Sequence, residues 1–359
     1  MNIAVYCIIA FILYCLQFPF IIWGLKKLRC TRAFSRTSFF AGESGELIEV
    51  VRNDGFGLFP WLRLESQISR HLQLGSQQNL QVSHSMYYSS LFILMPHQQI
   101  RRTHRVKFLR RGIYDLGNAH LTVGDILDLF RFSHPQDLDT RVMVYPALLD
   151  TEQLPTLLSQ KLGELSQRRQ LQQDPFLIRG IRPYLPGDPV RNIHWPATAR
   201  TGEAHVRIHD YTARTKLLVI LNVQAQYMQW QNRLPEQMED AMEYAISLAA
   251  TLCMQSLQMG LAAGFCANAC LQEEDSPVLL LPAEGNSQTE SLLSAFARLQ
   301  THRAQPFATF LEKLKIYSGL DIFILSHYND EEIRAASALL EQNGNQVTFH
   351  LLEGGNTCT

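Results

Sequence analysis

The chain begins with a long apolar segment. Residues 1–25 contain no charged side chain, and Lys26, Lys27 and Arg29 are the first of five basic residues up to position 36. Because about 20 mostly apolar residues are enough to cross the hydrocarbon core, the pattern predicts a transmembrane helix over 1–25. A buried core helix is the alternative, and a cleavable signal peptide would need positive charge before the apolar run. The basic residues after the span predict that the rest of the chain faces the cytoplasm.

A second region consists of short apolar stretches that follow no helical period. The stretch 45–54 is rich in β-branched residues and leads into Asn53-Asp54-Gly55, a turn signal. Further short runs lie at 104–113 and 120–124 and are bounded by glycine. Short strands without helices between them predict an antiparallel β-sandwich-like domain over 33–147.

Apolar strands alternate with amphipathic helices in the last third of the chain. Residues 215–223 form a continuous apolar run, typical of a strand buried on both faces, and a helix follows between Pro235 and Gly260. Later strands are predicted at 261–266, 277–281, 320–326 and 347–352, and later helices at 289–300, 307–317 and 330–342. The alternation predicts a doubly wound α/β domain over 214–359. Region 148–213, helical at 151–175, is predicted to link the two domains.

Composition narrows the classes of function. With 32 basic and 33 acidic residues there is no surplus of positive charge, which disfavours a general nucleic-acid binder. The local basic run 101–111 is interpreted as the solvated face of a strand, with a lipid-facing or partner-facing patch as the alternative. None of the seven cysteines forms a C-x-x-C pair, so they are predicted to be buried, reduced thiols rather than zinc ligands.

The densest run of special residues is 180–202, GIRPYLPGDPVRNIHWPATARTG, called the arginine motif below. Pro186-Gly187 predicts a type II turn, in which glycine supplies the positive φ. Asp188-Pro189 predicts a helix start, with Asp188 as the cap and Pro189 at the first helical position. Much of the motif is therefore explained as architecture.

The arginines of the motif are its candidate binding groups. Arg182, Arg191 and Arg200, together with Arg207, offer guanidinium groups suited to carboxylates or phosphates. The alternative is that one or two of them pair internally with Asp188 or Glu203. Two further residues, His194 and Trp195, are interpreted as a packed structural histidine and a core anchor.

An enzymatic role is poorly supported by these residues. One Asp, one His and several Arg provide neither a nucleophile with its base nor a metal site, and the chain has no G-x-x-x-x-G-K-[ST] phosphate loop. We therefore predict no enzyme activity and no cofactor. A phosphate-handling or hydrolytic enzyme that uses Asp188 and His194 is the alternative.

The motif and its flanking segments resemble the bacterial family known as domain of unknown function 58. The flanking segments are Arg111-Gly112-Ile113-Tyr114, the element Asp125–Phe130, and Tyr145-Pro146. Within the motif, the family pattern is met by Arg182, Tyr184, Gly187, Asp188, Arg191, Ile193, Trp195, Ala199 and Arg200. The interaction site is thus predicted to be Arg182, Tyr184, Gly187, Asp188, Arg191, His194, Trp195 and Arg200.

The resemblance also implies that the last domain is similar to von Willebrand factor A domains. Such domains carry a metal site in the pattern Asp-x-Ser-x-Ser, and the matching positions here are Asn222, Gln224 and Gln226. Because neutral amides provide no charge to hold a divalent cation, we predict that metal binding is lost at this degenerate site. A metal-dependent adhesion module remains a third alternative.

Family members are commonly linked to MoxR-type AAA+ ATPases, so the resemblance implies such an ATPase as a partner. Together these observations predict a non-enzymatic protein-interaction and assembly adaptor, anchored in the bacterial inner membrane by one pass with its soluble domains in the cytoplasm. Its predicted partners are the ATPase, other membrane or cytoplasmic proteins and the lipid bilayer, and not nucleic acid.

Overall fold

The computed structural model describes residues 24–75, 80–82, 87–124, 131–171, 173–211, 215–226 and 238–352. The chain divides into two compact units, Met1–Ala147 and Leu148–Thr359. The element Asp125–Phe130 lies outside the described residues, and so does the predicted transmembrane helix except for its last two positions. The domain boundaries given above stay predictions.

The described part of the first unit is built from β-strands in three sheets. Their orders are β1-β3-β8-β5, β11-β10-β4-β7-β6 and β2-β12-β9. The strands are β1 Leu28–Phe34, β2 Ser38–Phe40, β3 Ser44–Asn53, β4 Phe59–Gln67, β5 Leu72–Leu74, β6 Leu80–Val82, β7 Tyr87–Leu94, β8 Gln99–Phe108, β9 Gly112–Asp115, β10 Asn118–Gly124, β11 Arg131–Asp137 and β12 Arg141–Tyr145.

Alternation along the strands explains how the first two sheets share a core. In β3 the inward positions are every second residue, Leu47, Glu49 and Val51 among them, while the residues between them are more exposed. Val51 packs with Leu62 of β4 and Phe92 of β7, which belong to the other sheet. The result is a β-sandwich-like unit with an apolar interior.

One charged pair is buried inside this sandwich. Arg32 of β1 lies directly opposite Glu49 of β3, and both side chains are fully buried. Arg32 Nε donates to Glu49 Oε1 at 2.9 Å, and Arg32 Nη2 is 2.8 Å from the same oxygen, an ionic contact without hydrogen-bond geometry. Arg32 Nη1 also donates to Ser66 Oγ of the facing sheet at 2.7 Å.

The second oxygen of Glu49 is satisfied as well. Ser90 Oγ donates to Glu49 Oε2 at 2.8 Å, and His104 Nε2 lies 3.1 Å from it. Burial alone would raise the pKa of this carboxyl, but the hydrogen bond from His104 and the charge of Arg32 outweigh burial and lower its pKa to about 2. The pair is therefore ionised and links the two sheets through polar contacts.

The second unit combines helices with a ribbon and a larger sheet. Its helices are α1 Thr156–Leu171, α2 Trp195–Thr201, α3 Glu239–Gln258, α4 Asn286–Arg298, α5 Phe307–Lys313 and α6 Glu331–Gln342. Its strands are β13 Gln173–Pro183, β14 His205–Tyr211, β15 Lys216–Leu221, β16 Ala262–Leu271, β17 Pro277–Ala283, β18 Leu299–Arg303, β19 Asp321–Ser326 and β20 Gln346–Leu351.

The larger sheet has the order β17-β16-β15-β19-β20, and β18 pairs with β16. The strands β16, β15, β19 and β20 run parallel, whereas β17 is antiparallel to β16. The central strand β15 is buried from Leu217 to Leu221 because helices cover both of its faces. Leu218 and Ile220 pack toward α5 and α6, and α3 contacts β15 and β16.

The predicted fold class, a transmembrane helix followed by a β-sandwich-like domain and a doubly wound α/β domain, is wrong. The described part of the chain contains more strand than helix, and its N-terminal unit is β-sandwich-like. Across the residues that the structure describes, no helix is long and apolar enough to span a membrane. The longest of them, α3, opens with Glu239 and Asp240 and buries one face against strands, so its apolar residues serve the core.

The cysteine prediction is confirmed for three of the four described thiols. Cys30, Cys253 and Cys266 are free and buried, whereas Cys270 is half-buried. Burial raises the pKa of Cys266 to about 12, so this thiol stays protonated and unreactive at neutral pH.

Candidate functional site

The arginine motif connects the two strands of an antiparallel ribbon. Strands β13 and β14 pair with each other, so that Arg182 lies opposite Val206 and Pro183 opposite His205. The sequence predicts neither strand, and the helix predicted over 151–175 ends at Leu171, just before β13 begins. The ribbon brings the beginning and the end of the motif side by side.

The turn predicted at Pro186-Gly187 is confirmed. Asp188 N donates to Leu185 O at 3.0 Å, and Gly187 has a φ of 107°, the positive value that the third position of a type II turn requires. The Asp188 side chain closes the same turn from the other side, because Leu185 N donates to its Oδ2 at 2.9 Å.

Arg182 holds the same carboxylate. Its Nη1 and Nη2 each donate to one oxygen of Asp188, both at 2.7 Å, which is a bidentate pair. Hydrogen bonding to Arg182 lowers the pKa of Asp188, so the carboxylate stays ionised. The internal pairing left open in the sequence is therefore present for Arg182.

The helix cap predicted for Asp188 is wrong. A short 3-10 helix spans Val190–Asn192, but Pro189 is its N-cap residue and no side chain caps it. The Asp188 carboxylate faces back toward Leu185 and Arg182, because the positive φ of Gly187 turns the chain there. Asp188 therefore stabilises the turn and does not start a helix.

His194 caps the helix that follows. Ala197 N donates to His194 Nδ1 at 3.0 Å, and α2 ends at Gly202, whose φ is 77°. The backbone N–H of His194 donates to His205 O at 2.8 Å, which fixes the helix start to the ribbon. A structural role for His194 agrees with this geometry.

Trp195 is not the core anchor that the sequence suggested. Its side chain is 65% exposed, because α2 is only seven residues long and buries none of them. Val190 is 66% exposed, and Leu185 is exposed as well. These three side chains place apolar surface along the motif.

The remaining arginines differ in their surroundings. Arg191 and Arg200 are exposed, and neither has an ion pair or a side-chain hydrogen bond with the described part of the chain. Arg207 is half-buried, and its Nε has no hydrogen-bond partner there. Tyr184 is half-buried, and its backbone N–H donates to Ala204 O at 2.8 Å. Arg191 and Arg200 are thus available to a partner.

The degenerate metal positions lie at the carboxyl end of β15. Asn222 and Gln224 are buried, whereas Gln226 is exposed. Asn222 Nδ2 donates to Ser326 Oγ at 2.9 Å, and Asn222 Oδ1 accepts from Gln224 N at 3.0 Å. Gln224 Oε1 accepts from Phe307 N at 2.7 Å. The amide oxygens are therefore already bonded within the protein.

Asn268 joins Asn222 and Gln224, and we call these three buried side chains the amide cluster; its third member is not predicted from the sequence. Its Nδ2 donates to Asn222 Oδ1 at 3.1 Å and to Gln224 Oε1 at 3.4 Å, while its Oδ1 accepts from Val223 N at 2.9 Å. The next residue after Ser326, His327, is fully buried, and burial lowers its pKa. No group of three His, Cys, Asp or Glu side chains suited to a metal occurs among the described residues.

A cleft of about 450 Å³ lies on the first unit, lined by Gln67–His71, Asp115 and Asn118. Its one carboxylate is already engaged, because Asp115 accepts from Arg141 Nε at 3.0 Å and from Gly117 N at 2.7 Å. Both oxygens of this carboxylate are therefore used in contacts within the protein.

Comparison with known proteins supports the family recognised in the sequence. Residues 180–313 match the model of a family described as "Protein of unknown function DUF58", and this segment contains both the arginine motif and the amide cluster. This match gives no evidence of membrane anchoring, of a von Willebrand factor A-like domain or of a link with an ATPase. No curated protein matches the chain.

Several solved structures match about a third of the chain at low similarity. They include the CARDB domain of a Pyrococcus furiosus protein in complex with di-metal ions, at 14% identity and a TM-score of 0.22, covering 33% of this chain and 93% of that one. A non-cellulosomal cohesin from Archaeoglobus fulgidus matches at 10% identity and 0.21, covering 32% and 91%. The CaCohA2 structure from Clostridium acetobutylicum matches at 11% and 0.22, covering 33% and 90%. Likenesses this low identify neither a fold nor a function.

Proposed function

We propose that this chain, whose residues 180–313 match the DUF58 family model, is a non-enzymatic adaptor that binds a partner protein through its arginine motif. The observation that carries the proposal is the exposed Trp195 together with the exposed Arg191 and Arg200, which have no partner within the described chain. Tryptophan and arginine are the residues most enriched at the energetic centres of protein interfaces.

The motif is also held in shape before any partner binds. Asp188 closes the 185–188 turn through both Arg182 and Leu185 N, and His194 fixes the start of α2. A preformed loop loses less conformational entropy on association than a flexible one. The exposed side chains of Leu185, Val190 and Trp195 provide the apolar area that a partner would cover.

The same contacts speak against the enzymatic alternative. Asp188 accepts three internal hydrogen bonds, and His194 Nδ1 accepts one from the backbone. A general base needs a free acceptor within reach of the substrate proton, and both groups use theirs to maintain the loop. We therefore assign the motif to binding.

The partner that we propose is a MoxR-type AAA+ ATPase, as the family resemblance implies. The chain has no phosphate-binding loop of its own, so a bound ATPase would supply the nucleotide chemistry that it lacks. Location at the bacterial inner membrane, with this surface in the cytoplasm, is part of the same proposal.

The test uses the full-length chain and a purified MoxR-type ATPase from the same organism. Binding is measured by interferometry with and without ATP, for the wild type and for the double variant Arg191→Ser with Trp195→Ser. If the motif is the interface, the Kd rises about tenfold or more, since each hot-spot residue contributes over about 1 kcal/mol. Ile316→Ser is the matched control, because Ile316 is 86% exposed in the same unit but outside the motif.

Two results would contradict the proposal. Unchanged affinity in the double variant would mean that the motif is only structural. Absence of binding by the wild-type chain in either nucleotide state would reject the ATPase as partner.

A further inference from the structure

Apolar side chains are concentrated at one end of the first unit, on the β3–β4 loop and the end of β7. Asn53, which is buried, ties these segments together. Its Nδ2 donates to Gly57 O at 2.7 Å and to Met95 O at 2.9 Å, while its Oδ1 accepts from Gly55 N at 3.0 Å. His97 N also donates to Gly55 O at 3.3 Å. The two segments therefore form one ordered surface.

We call Phe56, Leu58, Ile93 and Met95 the apolar tip. All four side chains are exposed. Phe56 is 71% exposed, although its ring packs edge-on against the ring of His97 with 4.7 Å between the ring centroids. Single exposed apolar residues are ordinary, whereas several at one place on a surface mark a contact with another molecule or a membrane.

Positive charge surrounds the apolar tip. Asp54 N donates to Lys27 O at 3.1 Å, and the Cα of Gly55 lies so close to Lys27 that an added Cβ would be 3.3 Å from the Lys27 Cβ. Lys26 and Lys27 are exposed. Arg29 and Arg52 lie opposite each other in β1 and β3, and both contact Asp54. Among the described residues, four cationic side chains and the carboxylate of Asp54 thus lie at this edge.

We propose that the apolar tip docks onto the surface of an anionic lipid bilayer. The four apolar side chains enter the boundary between headgroups and acyl chains, and the ammonium groups of Lys26 and Lys27 contact lipid phosphate. Exposed apolar residues next to Lys and Arg are the composition that binds lipid interfaces. The sequence that precedes Gly24 carries no charged residue, so the chain joins this surface to its most lipophilic segment.

The occupant follows from this combination of charge and apolarity. A second protein would also cover apolar side chains, but the uncharged sequence adjoining the same edge favours lipid. This surface lies in the first unit and shares no residue with the arginine motif, so its test is independent of the partner binding proposed for that motif.

The experiment places a fluorescent probe on the tip of the full-length chain. Phe56→Trp is reconstituted with vesicles of phosphatidylglycerol and phosphatidylcholine, with and without brominated acyl chains, and the wild-type emission is subtracted. The control is Leu109→Trp. Leu109 is exposed and follows Phe108, the end of β8 that is far from the apolar tip. The other end of β8, Gln99, pairs with Arg52 beside the tip. Ten strand residues separate the two ends by about 33 Å.

We expect bromolipid to quench the Phe56→Trp emission about twofold more than the Leu109→Trp emission. Adding Lys26→Ser and Lys27→Ser should reduce that difference in anionic vesicles. Equal quenching at the two positions, or none at Phe56→Trp, would overturn the proposal. The proposal would also be overturned if aqueous iodide failed to quench the Phe56→Trp emission before lipid is added, because the tip would then be covered by protein.

Discussion

Replacing Glu49 by Gln tests the buried charge network of the first unit. Gln has nearly the same size as Glu, but it lacks the negative charge that Arg32 contacts in the interior of the sandwich. Its NH₂ must replace one of the two carboxylate oxygens. On the Arg32 side a donor would then face a donor, and on the other side the hydrogen bond that Ser90 donates would be lost.

The pKa of Glu49 and the general cost of breaking a buried ion pair give similar values for the loss. The pKa of Glu49 is held at about 2 instead of 4.5, and a difference of that size corresponds to about 3 kcal/mol in favour of the charged form. Removing one partner of a buried ion pair typically costs about 3–5 kcal/mol, because the other charge is left uncompensated. We therefore expect Glu49→Gln to lower the free energy of unfolding of this unit by about 3 kcal/mol or more.

Hydrogen exchange with mass spectrometry on the full-length chain measures this loss locally. Slowly exchanging amides in β3 and β8 should exchange on the order of 100-fold faster in the variant. Glu46→Gln is the matched control, since Glu46 is exposed on the same strand and should change stability by less than about 0.5 kcal/mol.

A double variant distinguishes loss of charge balance from loss of packing. Arg32→Met with Glu49→Leu removes both charges, so it should be less destabilising than Glu49→Gln alone. If Glu49→Gln changed exchange no more than Glu46→Gln, the carboxylate would not be the ionised, buried partner described above, and the reasoning would fail.

The acid dependence of Glu49 and three contacts in the second unit can also be tested. Because the folded-state pKa of Glu49 is lowered, its stabilisation is complete above pH 4.5 and is lost as the pH falls from there to about 2, which acid-dependent exchange of β3 amides will show. Asn268→Ala should lower the free energy of unfolding by about 1–3 kcal/mol in urea, since it leaves buried amides unpaired. Gly264→Ala should destabilise the second unit by about 1–3 kcal/mol in the same assay, because its Cβ would lie 2.6 Å from Leu280 O of β17. Calorimetry should detect no Mg²⁺, Mn²⁺ or Ca²⁺ binding that Asn222→Ala abolishes, since the Asn222 oxygen is already bonded.

Elements with a strong local period were predictable from the sequence. The apolar run at 215–223 is the buried strand Lys216–Leu221, and the helix placed between Pro235 and Gly260 is present as Glu239–Gln258. Both elements are buried because of their apolar residues, so the pattern that predicts them is also the physical reason that they form. The β13–β14 ribbon is not predicted, because its pairing joins residues from Pro183 and His205 to Gln173 and Tyr211, far apart in the sequence, and no short-range pattern reports such pairing.

Side-chain roles in the motif were harder to predict than the backbone. Gly187 needs a positive φ whatever surrounds it, so its turn could be inferred from residue type. Trp195 was assigned to a core because most tryptophans are largely buried, but its helix is too short to have a buried face. Asn268 joins Asn222 from 46 positions away, and only the folded sheet brings the two together.

The buried pair of the first unit also bears on strand alignment. A slip of two residues between β1 and β3 would keep every apolar side chain on the same face of the sheet. Burial of apolar side chains therefore favours the native register only weakly over this slipped one. In the slipped arrangement Glu49 would no longer lie opposite Arg32, and two unpaired charges would sit in the interior. The buried pair therefore helps to determine the register of β1 and β3. It destabilises the slipped pairing, which the apolar core alone would tolerate.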